Sequence, residues 1–327
     1  MKIIILGAGD WGTALAAILA ARPGKEVALW ARSEERVRAL KDGRGKRPLD
    51  SRVKVGVKFS EEVAGDDVLV IAVPSSEVRA VAKEIGARLN PLPILVSAAK
   101  GFEHSSLLTM SQVLRSVLPG ARLAVLSGPN IAEEVARGQY SKAILASDDV
   151  DTLLRVRAAL ENDVLEFETS KEMVGVELCA ALKGIIAIAV GLCEGVGLGV
   201  NAQAIVMTYG LREFAAVADF FGVPASAIYG LGGLGDLLAT SMSPNSRNRR
   251  FGRLLAQGVP TQEALRQVGM VVEGVKMAQT VGRLDHLSLP TPIISTVSRF
   301  IFDPPADTRA ELLKLLSGIR LGDRPQG

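Results

Sequence analysis

The chain has 327 residues, more than the ~250 to 300 at which a single hydrophobic core stops growing, so we expect two domains. Apolar residues make up 48% and charged residues 22%, a balance that excludes a disordered chain. The 38 basic and 35 acidic residues leave a net charge of only +3, so the composition does not favour nucleic acid as a partner.

A glycine-rich motif follows the first predicted strand. The apolar run at residues 1–6 predicts a buried strand, and a helix is predicted at residues 13–20. Between them lie Gly7, Gly9 and Gly12, in the pattern Gly-x-Gly-x-x-Gly. Such glycines permit a tight turn, an approach of the backbone to a pyrophosphate, and close helix packing. These turns also occur without a ligand, but the flanking strand and helix favour a dinucleotide at the helix N-terminus.

The second predicted strand ends next to an arginine. This strand covers residues 26–30, and Arg32 follows it where NAD sites usually place an acid on the ribose 2′-hydroxyl. A guanidinium suits a 2′-phosphate instead, so the sequence favours NADP(H). Glu34 and Glu35 lie close by, and NAD(H) stays an alternative.

Strands and helices alternate up to about residue 170. Further strands are predicted at residues 68–73, 93–99, 123–126, 143–146 and 164–167. Further helices are predicted at residues 34–40 and 77–89. This alternation predicts an α/β domain with a doubly wound parallel sheet, of the Rossmann type, over residues 1–170.

The pattern changes at residue 171, where strands give way to helices. These are predicted at residues 172–194, 201–221, 245–257, 262–268 and 290–302. We therefore expect a separate all-helical domain over residues 171–327, which ends in an unstructured tail from residue 318.

Several classes of protein are disfavoured. The most apolar uninterrupted stretch, residues 184–193, is shorter than the ~20 residues of a membrane span. Cys179 and Cys193 lie roughly 21 Å apart along one predicted helix, too far for a disulfide. Together with the lack of a signal peptide, this predicts a cytoplasmic protein. His104 and His286 join no cysteine or carboxylate cluster, so no metal site is expected.

Lys183 lies in the most apolar neighbourhood that contains a charge. One reading is that its stem extends along the helix so that the ammonium reaches solvent. The other is a functional amine, because burial is costly for an ammonium and favours the uncharged form that takes part in proton transfer. On an ideal helix Glu194 falls within ~20° of Lys183, so the two mark one polar stripe.

A second polar cluster follows a glycine-rich segment. Asp236 ends the segment at residues 230–236 and is expected either to cap a helix or to take part in chemistry. Ser246, Arg247 and Asn248 begin a predicted helix, where backbone donors and a guanidinium converge on a phosphate. The alternative is a solvated basic helix face. The first reading predicts a small phosphate ester as substrate.

These segments together resemble NAD(P)-dependent glycerol-3-phosphate dehydrogenases of the bacterial type. Residues 181–201 are similar to the signature helix of that family. Matching blocks also occur, in order, at residues 7–14, 99–101, 127–129, 233–237, 246–248 and 272–274. The resemblance covers essentially the whole chain. It implies reversible reduction of dihydroxyacetone phosphate to sn-glycerol 3-phosphate, a precursor of glycerophospholipids, by a homodimer.

The resemblance also implies roles for individual residues. Lys183 would be the acid/base, and Lys100 and Asp236 would act beside it. The implied substrate-binding positions are Lys100, Gly128, Asn130, Lys183, Asp236, Ser246, Arg247 and Asn248. The implied cofactor-binding positions are Gly7, Gly9, Asp10, Trp11, Gly12, Arg32, Lys100, Ala132, Arg247, Val271 and Glu273.

One departure from the family pattern adjoins the acid/base position. Gly184 replaces the Asn or Asp that usually follows the lysine, which leaves one polar contact open. Two other functions stay open as alternatives. One is a hydroxyacid dehydrogenase of the same superfamily, which would bind a carboxylate, and the other is a non-catalytic dinucleotide sensor.

Overall fold

The computed structural model describes residues 1–44, 49–59, 62–269, 271–281 and 289–319. The chain forms two compact units, Met1–Glu177 and Leu178–Gly327. The division after residue 170 into a dinucleotide-binding domain and a substrate domain stays a prediction. His286 and most of the predicted tail, residues 320–327, lie outside the described residues.

A central β-sheet forms the core of the N-terminal unit. Its strands are β1 (Lys2–Leu6), β2 (Glu26–Ala31), β3 (Lys54–Val57), β4 (Val68–Ile71), β5 (Ile94–Ser97), β6 (Leu123–Ser127), β7 (Ser141–Ala146) and β8 (Leu165–Ser170). They lie in the spatial order β3-β2-β1-β4-β5-β6-β7-β8. Strands such as β4 are apolar and buried at every position, as expected for a sheet covered on both faces.

The direction of the strands agrees with the predicted sheet except at one place. Strands β1 to β6 pair in parallel, but β7 pairs antiparallel with β6. The predicted parallel sheet is therefore confirmed except for this one antiparallel pair. The connection between β6 and β7 contains only a five-residue helix, Ala132–Ala136, and so lacks a full crossover helix. Strand β8 again pairs in parallel with β7.

The helices follow the strands in chain order. They are α1 (Asp10–Ala20), α2 (Glu34–Lys41), α3 (Val78–Arg88), α4 (Met110–Val117), α5 (Ala132–Ala136), α6 (Val150–Leu160), α7 (Met173–Gly195), α8 (Val200–Phe220), α9 (Ser226–Tyr229), α10 (Asp236–Met242), α11 (Arg247–Ala256), α12 (Thr261–Val268), α13 (Glu273–Val281), α14 (Pro292–Phe302) and α15 (Thr308–Gly318). From residue 171 onward the described residues form helices and no further strand, apart from the turns between them. The predicted class, an α/β sheet domain followed by an all-helical part, is confirmed.

Some helices were not predicted. Among them is α6, whose buried Leu153, Val156 and Leu160 follow one face. Its apolar Val150 and Leu154 are 53% and 61% exposed, and they obscure that pattern in the sequence. Helix α15 was also missed. The predicted tail is wrong at its start, since Gly318 is the last residue of that helix.

The order of the strands fixes where a ligand is expected in the N-terminal unit. The chain runs from β1 to β2 and β3 on one side, and then returns past β1 to β4 on the other. In doubly wound sheets the crevice outside the carboxyl ends of the strands opens at this reversal. Gly7 follows β1 and Ala72 follows β4, so the glycine motif lies there.

Helix α7 corrects the sequence argument about membranes. It has 23 residues, of which only Glu177, Lys183 and Glu194 are charged, so by length and composition it is able to cross a membrane. The exclusion on length was wrong because Lys183 interrupts the apolar run without ending the helix. However, 94% of its most apolar 18-residue stretch is buried inside the protein, as in a core helix. One such helix is weak evidence for a span.

Buried carboxylates cap two helices. Glu177 accepts hydrogen bonds from the N–H (2.8 Å) and hydroxyl (2.5 Å) of Ser111 in the first turn of α4. In the C-terminal unit, Glu213 on α8 accepts from the N–H groups of Ile293 (2.6 Å) and Ile294 (2.9 Å) at the start of α14. Burial raises the pKa of Glu213 to about 7, although these two backbone donors oppose the rise.

The raised pKa of Glu213 predicts a pH dependence of stability. Because its folded pKa lies above the ~4.3 of an unfolded glutamate, the stability from the protonated group is present below pH ~4 and is lost as pH rises through about 7. We expect the free energy of unfolding of the wild type, relative to Glu213→Gln, to fall by about 3 kcal/mol between pH 4 and pH 8. Urea unfolding of both proteins across this range checks it, and parallel pH profiles would contradict it.

Candidate active site

The glycine motif forms the turn between β1 and α1. Gly7 has a φ of +125°, which favours glycine, and its N–H donates to the carbonyl oxygen of Trp30 at 3.0 Å. A Cβ on Gly7 would overlap the carbonyl oxygen of Ala72, and one on Gly12 would overlap that of Gly7. Both positions therefore require glycine, for the turn and for helix packing respectively.

Gly9 has a different environment. Among the described residues nothing lies within 4 Å of a Cβ built on it, so its face of the turn is open. Gly9 is also the N-cap of α1 and contributes no side-chain cap, while the Thr13 hydroxyl donates to its carbonyl oxygen at 2.8 Å. The N–H groups of Asp10 and Trp11 lie in the first turn of this helix. An open turn beside a helix N-terminus fits the pyrophosphate of a dinucleotide.

Two further predicted cofactor residues lie around this turn. Arg32 is exposed and directly follows β2, which ends at Ala31. Ala132 is the first residue of α5, and α5 packs against α1. Arg32 is thus available to a ligand at the β2 end of the crevice.

Lys100 and Gly128 come together at the ends of two neighbouring strands, β5 and β6. The half-buried ammonium of Lys100 donates to the carbonyl oxygen of Gly128 at 3.5 Å. Gly128 has a φ of +117°, and a Cβ on it would lie 3.2 Å from the Cα of Ala143. The structure therefore places two of the predicted substrate residues side by side.

Buried polar atoms without partners accompany these residues. In the part of the chain that the structure describes, both amide atoms of Asn130 and the hydroxyls of Ser127 and Ser97 have no hydrogen-bond partner. Buried polar groups in proteins are nearly always hydrogen-bonded, so such a group calls for a specific partner. A polar ligand at the carboxyl ends of β5 and β6 would provide one.

In the C-terminal unit, Lys183 forms an ion pair with Asp236. The side chains are 12% and 3% exposed, and the Lys183 ammonium donates to the Asp236 carboxylate. Thr240, one turn further along α10, donates to the same carboxylate oxygen at 3.5 Å. The Lys183 side chain therefore does not extend to solvent but is held beside a buried carboxylate.

The glycine-rich turn before Asp236 positions this carboxylate. It is a π-helix, Leu231–Gly235, a rare conformation that occurs frequently at functional sites. A Cβ on Gly233 would overlap the carbonyl oxygen of Ile228, so the turn needs glycine there. Gly235 occupies the N-cap position of α10, and Asp236 is the first residue of the helix. The reading of Asp236 as an N-cap was wrong.

The predicted phosphate-binding residues begin α11. Ser246 is the N-cap, and its hydroxyl oxygen accepts from the N–H of Arg249 at 3.3 Å. Arg247 is exposed, and Asn248 is half-buried. The helix thus has an ordered N-terminal turn with a guanidinium at its exposed side.

Two hydrogen bonds join this turn to the start of α13 and to the residues just before it. The guanidinium of Arg247 donates to the carbonyl oxygen of Val271 at 3.0 Å, and the side-chain oxygen of Asn248 accepts from the N–H of Gly274 at 2.9 Å. Glu273, the first residue of α13, lies between Val271 and Gly274 in the chain. Burial raises the pKa of its carboxyl group, although the positive charges of Lys276 and Arg247 oppose the rise. The predicted substrate residues of α11 and cofactor residues of α13 are therefore adjacent.

Comparison with known proteins agrees with these features. Residues 2–153 match the family described as NAD-dependent glycerol-3-phosphate dehydrogenase N-terminus, and residues 172–306 match the corresponding C-terminus. The chain belongs to the NAD-dependent glycerol-3-phosphate dehydrogenase family. It is 37% identical to the glycerol-3-phosphate dehydrogenase [NAD(P)+] of Geobacter metallireducens, over 97% of each chain. It is 36% identical to that of Thermobifida fusca, over 94% of each chain.

A solved structure supports the same assignment. The crystal structure of glycerol-3-phosphate dehydrogenase from Coxiella burnetii has a TM-score of 0.88 and 32% sequence identity to this chain. The match covers 96% of this chain and 98% of the other. Both units are therefore included in the similarity.

Gly184, directly after Lys183, lies against the backbone of α13. A Cβ on Gly184 would lie 3.0 Å from the N and Cα atoms of Gly274 and 3.3 Å from the side-chain nitrogen of Asn248. In turn, a Cβ on Gly274 would lie 2.6 Å from the carbonyl oxygen of Gly184. The two backbones touch, so a side chain at position 184 would need Gly274 to shift by a few tenths of an ångström.

Sequence reasoning missed the residue that joins α7, α10 and α11. Arg249 binds Glu194 of α7 through its Nε (2.7 Å) and the carbonyl oxygen of Met242, at the end of α10, through its Nη1 (2.9 Å). Glu194, noted as one end of a polar stripe with Lys183, therefore has a structural partner. No local pattern indicates this pair, because its members are far apart along the chain.

The sequence did not predict a metal site. Among the described residues there is no group of three or more His, Cys, Asp or Glu side chains placed to hold a metal ion.

Cys179 and Cys193 are both buried and free. Burial raises their pKa values to about 12 and about 11, so neither is a reactive thiolate at neutral pH.

Close contact between α7 and α11 gives a testable prediction. A Cβ on Gly191 would overlap the carbonyl oxygen of Arg249, and because backbone atoms cannot rotate away, Gly191→Ala must push the helices apart. We expect a loss of about 1 to 3 kcal/mol of stability and weaker substrate binding. Gly199→Ser is the control, since Gly199 is an exposed N-cap with nothing described within 4 Å of its Cβ position. Equal behaviour of both variants in thermal unfolding and in KM would contradict the prediction.

Proposed function

We propose that this chain is an NAD(P)-dependent sn-glycerol-3-phosphate dehydrogenase, which reversibly reduces dihydroxyacetone phosphate and supplies glycerol 3-phosphate for glycerophospholipid synthesis. The observation that carries the proposal is the buried pair of Lys183 and Asp236 in a chain of this family. The open glycine turn of the N-terminal unit supports it, since the reaction needs a dinucleotide.

The N-terminal unit is proposed to hold the dinucleotide. Its pyrophosphate would lie against Gly9 and receive the N–H groups at the start of α1. Arg32 would bind a ribose 2′-phosphate, which favours NADP(H) over NAD(H). The bound nicotinamide supplies the hydride in the reducing direction. Asp10, Trp11, Ala132, Val271 and Glu273 complete the proposed cofactor site.

Lys183 is proposed to be the acid/base. As the carbonyl carbon of the substrate is reduced, negative charge grows on its oxygen, and the ammonium of Lys183 donates a proton there. Asp236 keeps the ammonium in place, because the two side chains form an ion pair in which they are only 12% and 3% exposed. Lys100 would stabilise the same developing charge as a second cation.

The N-terminal turn of α11 is proposed to bind the phosphate. Ser246 orders the turn, so that backbone N–H groups and the guanidinium of Arg247 are presented together. Asn248, Gly128 and Asn130 would hold the remaining oxygens of the three-carbon substrate. Asn130 fits this role because its buried amide has no partner within the described chain.

The proposal extends to the organisation of the protein. The sheet domain would bind the dinucleotide and the helical domain would bind the substrate, as a homodimer in the cytoplasm. Free, buried cysteines agree with a reducing compartment. Light scattering is expected to give twice the 34.5 kDa of one chain, and a monomer would contradict the homodimer.

The acid/base role predicts a loss of turnover without a loss of cofactor binding. Lys183→Ala is expected to reduce kcat for dihydroxyacetone phosphate by at least ~100-fold and to change the Kd for NADPH little. Lys183→Ala leaves the buried Asp236 carboxylate without its counter-ion, which destabilises the fold. The double variant Lys183→Met, Asp236→Asn removes both charges, and it checks that a folded protein without the lysine is also inactive. Lys314→Ala, at an exposed lysine of α15, is the control. Wild-type turnover in Lys183→Ala would refute the role.

Substrate choice separates this function from its alternatives. We expect the wild type to oxidise NADPH with dihydroxyacetone phosphate and not with 2-ketoacids, because the proposed anion site suits a phosphate. Turnover with 2-ketoacids alone would identify a hydroxyacid dehydrogenase. NADPH binding without turnover of any of these substrates would identify a sensor.

A further inference from the structure

Arg36 contacts the glycine turn, although it lies on another element. It belongs to the first turn of α2, which Ser33 caps by accepting the N–H of Arg36 at 3.3 Å. The guanidinium donates to the carbonyl oxygen of Ala8 from Nη2 (2.8 Å) and from Nε (3.3 Å). Ala8 lies between Gly7 and Gly9, so Arg36 reaches into the centre of the motif.

This contact fixes the turn that faces the proposed pyrophosphate. The guanidinium is planar, so two donors on one carbonyl oxygen define both the distance and the orientation of the peptide. Gly9 is held on its helix side, where Thr13 donates to its carbonyl oxygen from the N–H (3.0 Å) and from the hydroxyl (2.8 Å). Arg36 adds a second restraint, on the carbonyl of the preceding residue, Ala8.

Arg36 also adds charge at the end of the site where the ribose is expected. The residues after β2 face the adenosine ribose in dinucleotide sites, and both Arg32 and Arg36 follow that strand. A guanidinium has five N–H donors, of which the Ala8 carbonyl takes two. The rest of the group stays suited to a phosphate. Glu34 and Glu35 lie between the two arginines and are exposed, so they are solvated rather than buried beside Arg36.

We propose that Arg36 determines specificity for a 2′-phosphorylated dinucleotide by holding the Ala8 carbonyl and placing a second guanidinium, beside that of Arg32, at the ribose 2′-phosphate. The inference rests on the proposed function and names a residue that this function did not include. The ligand class is an adenosine nucleotide with a phosphate on its 2′-oxygen.

The test uses fragments that lack the nicotinamide, so that it does not depend on turnover. Isothermal titration compares 2′,5′-ADP, which carries the 2′-phosphate, with 5′-AMP, which does not. We expect Arg36→Ala to weaken 2′,5′-ADP by about tenfold or more and 5′-AMP by less than about threefold, because only the first ligand loses a charge-assisted contact. Arg32→Ala is expected to act in the same direction.

Two further variants control for folding and for charge. Arg38→Ala removes an exposed arginine from the same helix and is expected to change neither affinity. Arg36→Lys keeps the charge but loses the planar pair of donors, so it is expected to retain part of the preference for 2′,5′-ADP. Unchanged thermal unfolding of Arg36→Ala confirms that the unit is folded.

Two results would overturn the inference. Equal weakening of both fragments in Arg36→Ala would show that the residue only holds the turn, and unchanged affinities would show that it does neither. These outcomes are distinct from failure of the proposed function. If the wild type prefers 2′,5′-ADP but does not reduce dihydroxyacetone phosphate, the proposed reaction is wrong and the role of Arg36 stands.

Discussion

The ion pair between Lys183 and Asp236 is the interaction on which the proposed chemistry depends. Two charges that are 12% and 3% exposed are costly to bury, and removing one partner would leave the other uncompensated. Replacing such a pair with apolar side chains often costs little stability, so stability alone does not explain its presence. The proposed acid/base role would explain it, because proton donation needs an ammonium that is held in one place.

Glycines in the C-terminal unit allow backbones to meet around this pair. Gly191 of α7 lies against the carbonyl of Arg249, and Gly252 of α11 lies against that of Ile188. Gly184 touches Gly274 in the same way, directly after Lys183. Because these are contacts between backbones, no side chain is able to adjust them. Helix α7, the N-terminal turn of α11 and the start of α13 are thereby fixed with respect to one another.

The features that were predicted correctly from the sequence are those whose residues lie close together along the chain. The glycine turn has its strand, glycines and helix in one short segment, and α7 was placed within a residue or two because its apolar pattern resumes directly after Lys183. Contacts between distant residues could not be read in this way. Arg36 and Ala8 share no pattern, and the Lys183–Asp236 contact had to come from the family resemblance.

The reversed β7 was missed because the sequence of a strand does not indicate whether it pairs parallel or antiparallel. Thr109 and Gln112 did carry a readable signal for α4, since they form a capping box.

The most direct test measures hydride transfer when the carboxylate of the pair is made neutral. In Asp236→Asn the side chain keeps its shape but no longer offers a full negative charge to Lys183. Single-turnover reduction of dihydroxyacetone phosphate by the preformed complex with NADPH is expected to be at least ~100-fold slower than in the wild type, with NADPH affinity unchanged. A rate within about twofold of the wild type would show that the pair does not position the acid, and would contradict the account.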